Sequence, residues 1–262
     1  MTWLLRPGLR LVRRDVDHLQ LGVDPPHVAV LPDSPAVRRL VADLAHGGPL
    51  TTLDEATTPV LTELVRVGLV VAADDEAGRR ARRARGVVHV DAPDDVRPAA
   101  LRLVRETGLA TTPIAAAATV ALVWGEGELA RDRLDGWVRS GTAHLVVAEL
   151  ADGPRLGPYV VPGATACLRC VDAHAGETDP RRALVVEQVA NGRPLRPARP
   201  DLALRTVALA WVVHDLALAA EGGRPSTWSA TVLLTGLPPV QTSYRRHPHC
   251  GCAWADEAVR AG

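Results

Sequence analysis

The 262-residue chain carries four cysteines, and they fall into two tight pairs, Cys167-Leu168-Arg169-Cys170 and Cys250-Gly251-Cys252. Each pair can present two sulfurs to one point, and two such pairs complete a tetrahedral thiolate shell at Zn–S distances of about 2.3 Å. A shared site of this kind constrains the fold strongly, because two segments far apart in sequence must then meet. With all four positions taken by sulfur, none stays open for water, so zinc held there is structural. The residue types leave three alternatives open: unrelated thiols, a redox-active C-x-x-C, or iron–sulfur ligation. His174, His247 and His249 stand near these cysteines and are read as groups that orient the ligands.

Composition removes several function classes. The 30 basic residues balance 30 acidic ones, so no global field draws the chain to nucleic acid or to anionic membrane. Every basic residue is arginine, which excludes a P-loop lysine and a Schiff-base lysine. The N-terminus, MTWLLRPGLRLVRR, has no apolar core followed by a small-residue cleavage site, and no stretch offers about 18 uncharged apolar residues. A cytoplasmic location is therefore expected, where paired cysteines favour metal over disulfide.

Local patterns predict an α/β protein in two parts. Short apolar runs at 9–12, 19–23 and 27–31, broken by Asp and Pro, predict a three-stranded meander. Asp33-Ser34-Pro35 opens a helix with Val37, Leu40, Val41 and Leu44 on one side and Gly47-Gly48 as its stop. A short helix from Thr51 to Glu55 and a third from Pro59 to Val67 complete a winged-helix module over 1–75. Residues 73–86 show an Arg run and no apolar face, so the domain boundary is placed there, with 76–86 as a solvated linker. An anion-binding arginine patch is the sharper alternative.

From residue 87 to 262 strands and helices alternate. Strands are expected at 87–90, 112–116, 120–124 and 145–149, with helices at 98–107 and 129–138, which implies a parallel sheet with crossovers. A long helix from Leu202 to Ala220 and strands at 228–234 and 240–244 follow, and the Pro/Arg stretch 193–200 is a loop. Gly125-Glu126-Gly127-Glu128-Leu129-Ala130 fits a dinucleotide loop formally, but its two glutamates would repel a pyrophosphate. No serine sits in a nucleophile elbow.

The stretch Gly157-Pro158-Tyr159-Val160-Val161-Pro162-Gly163 before the first cysteine pair, and His247-Pro248-His249 before the second, resemble the ThiF-like, ubiquitin-activating-enzyme-like family. More narrowly, the chain is similar to the members that accompany YcaO cyclodehydratases in making azole- and azoline-containing ribosomal peptides, bacteriocins among them. The resemblance spans roughly 87–254 and implies a degenerate Rossmann-like domain whose zinc is held by Cys167, Cys170, Cys250 and Cys252. It further implies that 1–75 is a winged-helix peptide clamp binding the leader of a precursor peptide, which adds as a strand beside 27–31. Val28, Val30, Leu61, Leu64 and Val65 are the candidate groove residues.

Where ATP-using relatives carry a glycine-rich loop, this chain reads Val87-Val88-His89-Val90-Asp91-Ala92-Pro93-Asp94-Asp95, with no glycine and three acids. ATP binding is therefore not expected, and the resemblance implies a subunit without catalytic activity alone. The rival function is a divergent adenylyltransferase acting on a C-terminal carboxylate or sulfur-carrier tail through 125–130. DNA binding by the winged helix is disfavoured by zero net charge and by only Arg38 and Arg39 on its first helix. ThiF-like proteins are commonly homodimers, a role the helix from Leu202 to Ala220 can serve.

Overall fold

The computed structural model describes residues 2–47, 50, 53–195 and 201–252. The chain divides into two compact units, Met1–Ala81 and Arg82–Gly262.

In the first unit the meander forms as β2 (Leu11–Arg13), β3 (His18–Leu21) and β4 (Ala29–Pro32), antiparallel in the order β2-β3-β4. Two further short strands pair antiparallel with each other, β1 (Trp3–Leu5) and β5 (Val70–Ala72). Helix α1 (Pro35–His46) begins where the sequence places it: the Ser34 hydroxyl accepts the Val37 N–H at 3.2 Å, and Gly47 at φ 68° closes the far end. Helix α2 (Thr58–Arg66) matches the third expected helix. The second does not form within the described residues. Thr51 and Thr52, like Gly48, lie outside them, and from Leu53 to Thr57 the chain turns, Asp54 Oδ1 accepting the N–H groups of Ala56 and Thr57. Leu19, Leu21, Leu31, Leu40, Leu44 and Leu64 are the heart of this unit's core.

The expected linker is instead helix α3 (Ala73–Ala84), which spans the boundary between the units and buries no residue. Charge placement explains it. Asp74, Asp75 and Glu76 fill the first turn and Arg82 and Arg83 the last, complementing the helix dipole, and Glu76 pairs with Arg80 one turn on.

The second unit is a seven-stranded mixed sheet in the order β12-β11-β10-β9-β8-β6-β7. Its parallel part comprises β6 (Val87–Asp91), β7 (Ala110–Thr112), β8 (Val120–Gly125) and β9 (Ala143–Leu150). The other three, β10 (Gly153–Val160), β11 (Ala230–Leu233) and β12 (Val240–Ser243), add antiparallel, correcting the expectation of an all-parallel sheet. The cause lies between β9 and β10: so short a connection can only reverse the chain. Strand β10 escapes a pattern reading because GPRLGPYV holds two glycines and two prolines. It tolerates them through an irregularity between Leu156 and Tyr159, where Gly157 takes φ 84° and an added Cβ would meet the Ala230 carbonyl oxygen at 2.3 Å.

Helices α4 (Arg97–Glu106) and α8 (Leu202–Ala220) cover one face of the sheet, packing Ala100, Val104, Val212 and Leu216 on Val88, Leu122, Leu145 and Val147. On the opposite face Leu129, Leu134 and Leu168 pack on Ala121, Val123, Val146 and Ala148. Where a helix was expected over 129–138, a 3-10 turn, Asp132–Leu134, leads into the short helix α5 (Asp135–Arg139), because the preceding Arg131 turns into a buried ion pair. Helices α6 (Leu168–Gly176) and α7 (Arg182–Asn191) complete the unit. By length and composition α8 is apolar enough to cross a membrane, but here Ala208, Leu209, Val212, Val213 and Leu216 are core residues. Its Asp215 carboxylate, 1% exposed, accepts the backbone N–H groups of Ser226 and Thr227 at 3.0 Å each. Residues 196–200 of the Pro/Arg stretch lie outside the described residues.

Candidate functional site

The two cysteine pairs meet. Cys167 is the residue before α6, in extended conformation, and Cys170 lies in that helix's first turn. The second pair comes from the turn after β12, where the Cys250 N–H bonds the His247 carbonyl at 3.1 Å and Gly251 takes φ 75°. The sulfurs are 3.8 Å apart between Cys167 and Cys170, and 3.4 Å apart in the pairs Cys167–Cys250 and Cys170–Cys252. All four lie within 4.8 Å of one another. A tetrahedron of sulfurs at about 2.3 Å from zinc requires S···S distances of about 3.8 Å, so the donor set fits a tetrathiolate metal site. All four are free thiols, walled by Val160, Ala166 and Tyr244.

Electrostatics distinguish the sulfurs. Hydrogen bonding from Cys167 lowers the pKa of Cys170, whose sulfur also receives the His247 N–H at 3.3 Å, while the same contact and burial raise that of Cys167. A metal bound here would replace the shared protons. The neighbouring histidines are hydrogen-bonded around the turn. His247 Nδ1 accepts the His249 N–H, which leaves the proton on Nε2 to reach Glu177 at 3.0 Å. His174 Nε2 donates to the Arg245 carbonyl at 2.9 Å. His174, Glu177 and His247 are themselves close enough to share an ion, which would have to replace the proton between His247 Nε2 and Glu177.

The carboxyl ends of β6, β8 and β9, where an open α/β sheet normally takes a ligand, are crossed by ion pairs that no local spacing announces. Arg205 of α8 holds Glu149 through two bonds of 2.6 Å and Asp95 at 2.6 Å, and Glu149 also accepts the Trp124 indole N–H at 3.1 Å. In the turn after β6, the N–H groups of Val96 and Arg97 are taken by the Pro93 carbonyl. Within the glycine stretch Glu128 is buried against Arg155 at 2.6 Å and Arg131 at 2.9 Å, and no helix opens at Leu129. Burial alone would raise the Glu128 pKa, but the two arginines outweigh it and hold it below the usual range. Its contribution to stability is then complete above pH about 4.5 and declines as pH falls through the lowered value. In urea titrations the deficit of Glu128→Gln relative to wild type is expected to be full at pH 7 and to shrink towards pH 3.

The candidate groove residues separate by burial. Leu61 and Leu64 are core, at 7% and 0% exposure, so they are unavailable to a ligand, whereas Val30 and Val65 are exposed and Val28 is half-buried. Strand β4 is an edge: among the described residues it pairs with β3 alone. The Asp33 N–H reaches the Asp17 carbonyl at 2.8 Å, which makes 17 and 33 a bonded pair. Antiparallel alternation then makes Leu19–Leu31 the next bonded pair and Gln20–Val30 a non-bonded one. The N–H and C=O of Val30 therefore face the open edge.

The second unit is thus a mixed α/β domain of Rossmann-like layout bearing a cysteine cluster at ligand distance. Among solved structures it shares this fold with heterocyclases. A heterocyclase in complex with substrate and cofactor superposes with a TM-score of 0.70 at 16% identity, over 96% of this chain and 39% of that one. The heterocyclase TruD gives 0.71 at 16% identity, over 100% and 44%. E. coli MccB gives 0.58 at 11% identity, over 97% of both chains. The chain thus spans about two fifths of the length of the heterocyclases. No family model and no curated protein sequence matches it.

Proposed function

We propose that this chain is a leader-peptide-binding and docking subunit for a YcaO-type cyclodehydratase in the biosynthesis of azole- or azoline-modified ribosomal peptides. The observation that carries this reading is the open edge of β4, with the backbone of Val30 turned outward in the part of the chain that resembles a winged-helix clamp. A leader segment adding there gains main-chain hydrogen bonds, and Val28, Val30 and Val65 supply apolar contacts. The likeness in fold to two heterocyclases supports a place in heterocycle biosynthesis.

Zinc at Cys167, Cys170, Cys250 and Cys252 would supply no chemistry to substrate, since four sulfurs fill its coordination; it ties α6 to the turn after β12. The acids at this sheet end, Asp91 paired with Arg133, Asp94 with Arg97, and Asp95 and Glu149 with Arg205, favour a site without nucleotide. Calorimetric titration with millimolar Mg-ATP is expected to give no binding heat. Saturable binding would instead favour a divergent adenylyltransferase.

The direct test is Val30→Pro. Proline removes the outward donor at that position without touching a bond to β3. The affinity of the N-terminal segment of the cognate precursor peptide, read by fluorescence anisotropy, is expected to fall at least tenfold while metal content stays the same. Unchanged affinity refutes the clamp.

A further inference from the structure

The carboxyl ends of the parallel strands are closed by ion pairs, whereas a cavity of about 320 Å³ lies at their amino ends, within the second unit. Val120 at the start of β8 and Leu216, Ala219 and Ala220 of α8 give it an apolar lining, and it shares no residue with the cysteine cluster. None of the lining residues is acidic. The carbonyls at the end of α8 are not open to a cation either, because the N–H groups of Glu221, Gly222 and Gly223 close on Ala217, Ala219 and Leu218.

Two arginines border this cavity without an acid to match them. Of the run that begins at Arg79, Arg80 pairs with Glu76 and Arg83 with Glu221, whereas Arg82 and Arg85 pair with no acid among the described residues. Arg82 Nε donates to the Glu221 carbonyl at 2.8 Å, which orients its plane and leaves the terminal nitrogens to a ligand. Exposed arginines alone would mean little; a buried third group marks the site. Tyr159 of β10, 6% exposed, also lines the cavity, its ring stacked on Trp228 with 6.1 Å between centroids. Its hydroxyl has no hydrogen-bond partner among the described residues yet is accessible, unlike Nε2 of the fully buried His144, which is both unpartnered and enclosed. Burial and the Asp215 carboxylate push the Tyr159 pKa up to about 12, so at neutral pH the hydroxyl is a donor. Asp215 does not accept from it, its oxygens being taken by the N–H groups and hydroxyls of Ser226 and Thr227.

We propose that this cavity binds a carboxylate borne on a short aliphatic chain: the chain packs on Val120, Leu216 and Ala219, and the carboxylate accepts from Arg82, Arg85 and the Tyr159 hydroxyl. Guanidinium groups and a neutral phenol are all donors, which an acceptor-only carboxylate satisfies with charge-assisted bonds. The volume is within the range of small-molecule sites, and an apolar lining with a few polar groups is their usual composition. The carboxylate can come from a free acid or from the C-terminus of a polypeptide ending in an apolar residue.

The test uses the full chain and three probes: 5,5,5-trifluoropentanoate, its primary amide, and N-acetyl-leucine. Fluorine NMR line broadening reads the first two directly, and N-acetyl-leucine is read by its displacement of the fluorinated acid. Saturable binding of the acid is expected, with the uncharged amide weaker by about tenfold or more. Arg85→Gln, at an exposed position, should weaken the acid by a similar factor. Tyr159→Phe removes an oxygen that no other group holds, so it should lower affinity severalfold and leave Tm unchanged, which a merely structural tyrosine would not do. Val30→Pro should leave acid binding as it is, so that failure of this site and failure of the clamp are separate results. Displacement by N-acetyl-leucine at equal or lower concentration assigns the site to a polypeptide C-terminus, and binding of the fluorinated acid without such displacement assigns it to a free acid. Absence of saturable binding to the wild-type chain, equal affinity for acid and amide, or unchanged affinity in Arg85→Gln and Tyr159→Phe overturns the proposal.

Discussion

Replacing Cys170 by serine is expected to empty the metal site and destabilise the second unit. Cys170 is fully buried at the start of α6, and its sulfur contacts those of Cys167 and Cys252. Serine at this place is a poor zinc ligand with a buried hydroxyl, and the remaining three sulfurs come from two segments otherwise tied by bonds such as His174 to the Arg245 carbonyl and His247 to Glu177. Structural zinc sites contribute about 10–16 kcal/mol of apparent binding free energy in small peptides, and part of it appears here as folding free energy. Elemental analysis should fall from about one zinc per chain to near zero, and thermal unfolding should begin at lower temperature. Chelating the metal from the wild-type chain should reproduce the shift. Full zinc content together with an unchanged Tm would disprove the tetrathiolate.

The second large effect is expected from Arg131→Met. The Arg131 side chain is 6% exposed, pairs bidentately with Asp172 and also holds Glu128. Methionine keeps the apolar stem but leaves the Asp172 carboxylate buried with, among the described residues, Arg182 at 3.7 Å as its remaining cation. Removing one partner of a buried pair costs about 3–5 kcal/mol. For a chain of this size that corresponds to a Tm lower by on the order of 10 °C. Adding Asp172→Leu to Arg131→Met should recover part of the loss, because the stranded charge goes with it. A single variant within 1 °C of wild type would show that the pair is solvated.

What could be read from the sequence depended on whether the signal was local. Ser34, Pro35 and Gly47 mark both ends of α1 by themselves, and the uninterrupted apolar run of β8 identifies a strand buried on both faces. The cysteine spacing identified the cluster because each pair is a local motif and only their meeting is long-range. Arg205 with Glu149, Arg131 with Asp172, and the orphan nitrogen of His144 depend on tertiary pairing and carry no spacing signal. Strand β10 was hidden by its glycines and prolines, and α3 by the absence of any apolar stripe. Helix α7 was hidden for a related reason: Leu184, Val185 and Val189 are exposed and Val186 alone is buried, so no one-sided pattern exists. Leu61 and Leu64 show the converse error, since an apolar helical stripe reads the same whether it lines a groove or fills a core.

The outward backbone of Val30 also bears on self-association. A strand edge with free N–H and C=O groups will pair with any extended chain, including a second copy of itself, so a receptor built this way must remain selective while empty. Here the exposed stretch is only four residues, Ala29–Pro32, closed by Pro32 at one end and preceded by Pro25-Pro26 at the other. So short a ladder gives a lone copy little to gain from pairing with its like. A ligand that also fills the apolar surface around Val28 and Val65 gains both. Brevity of the strand, rather than burial of its edge, limits how far two copies could pair through it.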